Sequence, residues 1–230
     1  INGKTAISEA LKLLNSKVVA IPTYTCSRVY EAVINVNCKP IILDCDKDLQ
    51  IEMVSQLFIN LDIDTVIIPH MFGIQATEQI KHYKNMGLMI IEDCSQCMGL
   101  PELGKYSDIV IASLGPTKWL SVGLNKESGG GLIAYNEGNI KNDYIHVNKA
   151  INMFSKIDEK LKSRKQKIQE MKNAGIKFIG SERPNAWLRG MYFTENQTRV
   201  PYTPLHDIYK GFECPIVDSY KNKIDWISVF

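Results

Sequence analysis

Nowhere in its 230 residues does this chain hold an apolar stretch near the ~20 residues that a membrane-spanning helix needs. The longest apolar runs are strand-sized, as at 39–43 and 65–69, so a transmembrane reading fails. The opening Ile1-Asn2-Gly3-Lys4-Thr5-Ala6 lacks the basic start, apolar middle and small-residue cleavage site of a secretory signal, so a cytoplasmic location with reduced cysteines is expected. An excess of one charge is also missing: 27 Lys and Arg face 25 Asp and Glu, for a net charge of +2, and nothing calls for nucleic acid or a membrane as partner. Low-complexity tracts and internal repeats are absent, and 45% hydrophobic with 23% charged residues fits a folded globular protein. Among the six cysteines, Cys94 and Cys97 have a metal or redox spacing, but the second pair that structural zinc needs is lacking. Buried, inert thiols and no metal are therefore expected.

What is present is an alternation of short apolar runs and helical patterns. It predicts helices over 5–14, 27–35, 51–60 and 77–85, and strands over 18–22, 40–44, 65–71, 88–93, 108–114 and 130–135. The fold class is α/β, a mainly parallel sheet flanked by helices. Near residue 140 the pattern changes to a long polar stretch over 147–174, with apolar residues every three or four positions, which fits one or two amphipathic helices. Short strand-like pieces at 176–179 and 186–193 follow. Two units are expected: a large one over 1–140, and a part over 141–230 that combines the long helices with a small α+β domain.

Ligands of an open parallel sheet gather beyond the carboxyl ends of its strands. The expected strand over 88–93 ends in Glu92-Asp93 and runs into Cys94-Ser95-Gln96; the strand over 108–114 leads to Gly115-Pro116-Thr117-Lys118. A rim ion pair between a carboxylate and a lysine is the simpler reading of that pair alone. Gly3-Lys4-Thr5-Ala6 adds a glycine and a hydroxyl at a helix start, either an ordinary N-cap or a phosphate site. Anion site, strand-end Asp, hydroxyl and Lys together are what a phosphorylated pyridinium aldehyde requires.

Six motifs occur in order: Gly3-Lys4-Thr5-Ala6-Ile7, Pro22-Thr23-Tyr24-Thr25-Cys26, Pro69-His70-Met71-Phe72-Gly73, Ile91-Glu92-Asp93-Cys94-Ser95-Gln96, Ser113-Leu114-Gly115-Pro116-Thr117-Lys118 and Ser128-Gly129-Gly130-Gly131. Their order is similar to that of the DegT/DnrJ/StrS-type sugar aminotransferases, which are fold type I enzymes dependent on pyridoxal 5'-phosphate (PLP). A weaker echo, Tyr202-Thr203-Pro204-Leu205-His206, resembles that family's Pro-Leu-His segment. The resemblance implies that Asp93 pairs with the protonated pyridine nitrogen and that Lys118 carries the cofactor and then moves a proton between substrate and cofactor. It also implies that Gln96 bonds near the ring hydroxyl, and that Ser113, Thr5 and the backbone of Lys4 and Thr5 hold the phosphate. Where family members stack an aromatic ring or histidine on the cofactor this chain has Cys26, with Tyr24 nearby to take over the contact. His70, Arg199 and His206 are the substrate-facing candidates, with a packed structural histidine the equal reading of His70 and a solvated charge the other reading of Arg199.

Compared with a typical family member the chain is short: it starts almost at the expected phosphate-binding helix, and the family's Asn-Tyr-Arg stretch has no counterpart, although Asn142 and Asn148 lie nearby. The resemblance implies an aminotransferase of amino-sugar biosynthesis. It would move an amino group from an amino acid, glutamate by expectation, to a keto sugar carried on a nucleotide, with the site between two subunits of a homodimer. A noncatalytic relative of the fold, or a PLP enzyme acting on a small non-sugar substrate, are the alternatives. Family dehydratases replace the lysine by histidine, and Lys118 argues against that route.

Overall fold

The computed structural model describes residues 2–54, 61–115, 117–118, 130–135, 155–186, 189–198 and 203–228. Helix α1 (Gly3–Leu13) starts at Asn2, whose extended backbone and side-chain acceptor for the Thr5 amide form an N-cap. Ala6, Ile7, Ala10 and Leu11 lie on one face and are buried. Strand β1 (Val18–Pro22), helix α2 (Ser27–Asn35) and strand β2 (Lys39–Leu43) follow. The turns before the two strands place Asn15 and Asn37 at positive φ, a conformation that asparagine tolerates better than most residues. Next come β3 (Thr65–Pro69), α3 (Thr77–Asn85), β4 (Met89–Asp93), β5 (Ile109–Ser113) and β6 (Gly131–Tyr135).

The six strands form one sheet in the order β2–β1–β3–β4–β5–β6. All neighbouring pairs are parallel except β5 with β6. Every residue of β3, Thr-Val-Ile-Ile-Pro, is buried, as expected of a central strand covered on both faces. On one face Val19, Ile21, Ile67, Ile91, Ile109 and Ile111 pack against α1 and α2. On the other, Ala20, Val66, Ile68 and Ile90 pack against Ile80 and Tyr83 of α3. A one-residue slip of any strand would exchange these faces, so the two cores fix the register.

After the sheet come α4 (Ile157–Asn173), β7 (Arg189–Phe193), the short helices α5 (Leu205–Ile208) and α6 (Pro215–Tyr220), and β8 (Ile224–Ser228), which pairs antiparallel with β7. Ile179, Met191, Leu205, Val217, Tyr220 and Ile224 join the core on the α1–α2 face, while Ile157 and Leu161 of α4 pack against Cys97 and Met98 near the opposite face. Polar clamps hold the C-terminal elements in place. Asp44 accepts the Ile216 and Val217 amides, and Arg183 bonds to Asp46, Asp48 and Gln79.

One expected element differs. The helix anticipated over 51–60 does not start at Ile51, which makes an antiparallel bridge with Cys45, and 52–54 are irregular; 55–60 lie outside the described residues. Asp46 explains the start: its carboxylate accepts the Asp48 and Gln50 amides, drawing the chain into a tight loop that a helix could not share. Of the predicted polar helix, Ile157–Asn173 is observed, and 136–154 lie outside the described residues. No helix among the described residues is long and apolar enough to cross a membrane.

Candidate cofactor site

The strand ends bring the predicted residues to one edge of the sheet. Asp93 is the last residue of β4 and aligns with Ile111 of β5, so Ser113, two residues further on, sits at the adjacent strand end. One Asp93 oxygen accepts the Ser95 amide at 2.9 Å. Beyond Ser113 the chain makes a turn closed by the Lys118 amide and the Gly115 carbonyl at 2.9 Å, which places the half-buried Lys118 at the same edge.

Helix α1 directs its N-terminus at Ser113. A Cβ on Gly3 would come 2.6 Å from Ser113 Cβ and 3.0 Å from its Oγ, so glycine is what allows this approach. Gly131 of β6 closes the far side, since a Cβ there would lie 2.8 Å from the Asn2 carbonyl oxygen. Thr5 donates both its amide and its hydroxyl to Asn2 Oδ1, at 3.0 and 3.1 Å. The first-turn amides of Gly3 and Lys4 have no partner among the described residues, the usual state of helix-start donors. The Lys4 ammonium is held 3.1 Å from Glu31, so its backbone is the part that faces the cradle. Two free amides, a helix dipole and the Ser113 hydroxyl suit a phosphate, Asp93 suits a protonated ring nitrogen, and Lys118 suits an aldehyde. The residues present therefore fit PLP.

The remaining sequence candidates divide. Cys26, partly buried at the start of α2, stays at the rim of β1. Tyr24, expected to take over the ring contact, is packed inward. It is 1% exposed, stacked on Tyr220 and edge-on to Phe72, and burial drives its phenol pKa upward. Gln96 is also buried: its Oε1 accepts the Phe72 amide at 2.9 Å and its Nε2 lies 3.4 Å from Met71 Sδ, so it braces the turn in which Phe72 has φ 59°.

His70 is turned inward as well. Its ring is fully buried, Nδ1 accepts the Ala76 amide at 2.9 Å and Nε2 faces Glu92 Oε1 at 2.8 Å, so it holds a strand end together as a packed structural histidine does. Burial works against a charged ring, while the contacts with Cys94 and Glu92 favour one. A second proton would nonetheless have to sit on Nδ1 facing the Ala76 N–H, so geometry keeps the ring neutral. Burial alone would raise the Glu92 pKa, but bonds from His70, Ser107 and Gly104 bring it below the usual range. The donor atoms of His70, Cys94 and Cys97 lie within 4.8 Å of one another, but both imidazole nitrogens are engaged. The cluster is a hydrogen-bonded part of the core.

His206 is carried to the β1 rim by α5. The Leu205 amide bonds to the Thr23 carbonyl, His206 Nδ1 lies 2.5 Å from Thr23 Oγ1, and Nε2 lies 3.1 Å from Asp218. Arg199 lies outside the described residues. A cavity of about 420 Å³, lined by Cys94, Met98, Leu103, Ala112 and Leu132, opens on the other sheet face and contains none of the cofactor candidates. Sequence reasoning missed Ser95 and Asn2, although both lie within or beside the quoted motifs.

A mainly parallel sheet flanked by helices is the fold type I aminotransferase architecture. The chain belongs to the DegT/DnrJ/EryC1/StrS aminotransferase family, whose model matches residues 1–178. Protein MosB of Rhizobium meliloti is 31% identical over 133 residues, 53% of this chain and 26% of that protein; the chain thus spans about a quarter of the length of this curated relative. The structure of a DegT DnrJ EryC1 StrS aminotransferase from Brucella abortus superposes with a TM-score of 0.83 at 18% identity, covering 97% of this chain and 78% of the other. 3-Amino-5-hydroxybenzoic acid synthase superposes with a TM-score of 0.76 at 14% identity, covering 99% and 79%.

Proposed function

We propose that this chain performs PLP-dependent transfer of an amino group from glutamate to a keto sugar carried on a nucleotide, as a step in amino-sugar biosynthesis. The observation that carries the reading is the convergence of the Gly3 helix start, Ser113, Asp93 and Lys118 on one sheet edge. Membership of the sugar aminotransferase family supports the class of reaction.

The cofactor supplies an electron sink for the carbanion formed when the substrate loses a proton. Asp93 keeps a proton on the ring nitrogen by placing a carboxylate against it. Lys118 Nζ, beyond the Ser113 strand end, would be the group that carries the proton from the substrate carbon to the cofactor carbon. Ser113 and the Gly3 and Lys4 amides hold the phosphate and fix the orientation of the ring. His206, at the Thr23 rim, and Arg199 remain the candidates for contact with the substrate. A homodimer in the cytoplasm, with a partner subunit completing the pocket, is part of the reading.

The test is an absorbance spectrum of purified protein with added PLP, beside Lys118→Ala, followed by glutamate. The expected outcome is a visible band that the variant lacks and that glutamate converts to the aminated form of the cofactor. A protein with no lysine-dependent band would be a catalytically silent relative of the fold.

A further inference from the structure

The β4–β5 ladder ends in an unusual way. The Cys94 amide donates to the Ile111 carbonyl at 2.8 Å, and there the backbone pairing on this side stops. The Leu114 amide points the other way, to the Gly130 carbonyl. The Ser113 amide between them still faces the β4 side, where the chain has already turned away. Its proton is accepted by Ser95 Oγ at 2.8 Å. The hydroxyl stands where a further backbone carbonyl would have been.

Ser95 is only 3% exposed, and its own amide donates to Asp93 Oδ1 at 2.9 Å. One residue thus bonds through its backbone to the carboxylate assigned to the ring nitrogen, and through its side chain to the residue assigned to the phosphate. We propose that Ser95 is a positioning residue that sets the spacing between the two ends of the cofactor site. This rests on the PLP reading above and adds to it a residue that would touch neither cofactor nor substrate.

The two bonds can be separated. Ser95→Ala keeps the amide that orients Asp93 and removes the acceptor for Ser113, so the phosphate end should loosen while the ring end stays in place. PLP is compared with pyridoxal, which has the ring and aldehyde without the phosphate, by equilibrium titration of the absorbance or of tryptophan fluorescence. Ser95→Ala is expected to raise the Kd for PLP about tenfold, the scale of one lost hydrogen bond, and to change that for pyridoxal by less than about threefold. Ser95→Thr, which retains the hydroxyl, should restore most of the PLP affinity. If the alanine variant does not fold, as judged by circular dichroism, Ser95→Cys offers a weaker acceptor of similar size and should show the same selective loss. A merely structural serine would lower the melting temperature and leave the ratio of the two Kd values at its wild-type level, and that result overturns the proposal. Wild-type protein that binds PLP, with an unchanged ratio in the variant, sinks the role of Ser95 alone; wild-type protein that binds neither compound sinks the cofactor reading and this role with it.

Discussion

Asp44 Oδ1 accepts the Val217 amide at 3.0 Å, across 173 residues of sequence. Its other oxygen takes the Ile216 amide at 2.6 Å, so a residue just past β2 caps a helix of the C-terminal part. Asp44→Ala would leave these helix-start donors without their acceptor. A loss of about 1–2 kcal/mol is expected, measurable as a lower urea midpoint, with Asp44→Asn intermediate. Equal midpoints for all three proteins would show that the clamp contributes nothing.

The close approach of Gly3 to Ser113 separates stability from cofactor binding. Alanine has the higher helix propensity, and Gly3 is not in the left-handed region, so the backbone accepts the change. The added Cβ would collide with Ser113 at 2.6 Å and push the helix start away from the phosphate cradle. Gly3→Ala is expected to keep its melting temperature within a few degrees and to lose roughly tenfold or more in PLP affinity, about 1.4 kcal/mol. Unchanged affinity would place the phosphate elsewhere.

Much of this arrangement is legible in the sequence, for physical reasons. The β-branched run at 65–69 and the Ile90-Ile91 pair within 89–93 favour strands with buried centres, and the motif residues at their ends then meet at one edge. Side-chain direction is harder to read. Tyr24 and His70 follow β1 and β3 in sequence but turn inward, because Tyr220 and Glu92, distant in the chain or on a neighbouring strand, provide their partners. Ser95 and Asp44 escape for the same reason: a serine and an aspartate after strands look like ordinary turn residues until the chain brings Ser113 and α6 to them.

Glu92 should reveal itself in the pH dependence of stability. Its carboxylate accepts from His70, Ser107 and Gly104, and its folded pKa is lowered relative to the unfolded value of about 4.3. A depressed pKa contributes stability above the unfolded value, and the contribution disappears as pH falls through the folded value. Glu92→Gln would turn an NH2 group toward donors. It is expected to be roughly 1.5–3 kcal/mol less stable at pH 7, with the gap to wild type narrowing below about pH 4. A gap that stays constant from pH 7 to pH 3.5 would mean that the carboxylate charge is not what the network holds.

The thiols offer a probe of the cofactor edge that does not depend on turnover. All six are free, and Cys26 alone is not buried. Burial raises the pKa of Cys38, Cys45, Cys97 and Cys214, the last to about 12, and a hydrogen bond to Cys97 together with burial raises Cys94. Because the thiolate is the reactive species, these five should resist a disulfide reagent such as DTNB until the protein unfolds. One thiol per chain is expected to react quickly in the native protein, and Cys26→Ser should remove that phase. If the cofactor occupies the edge formed by β1, β4 and β5, saturating PLP should slow the reaction of Cys26, and Lys118→Ala, which binds the cofactor less firmly, should restore it. A fast phase that survives Cys26→Ser would show that one of the buried thiols becomes accessible by local opening, whereas a Cys26 phase indifferent to PLP would move the ring away from the start of α2.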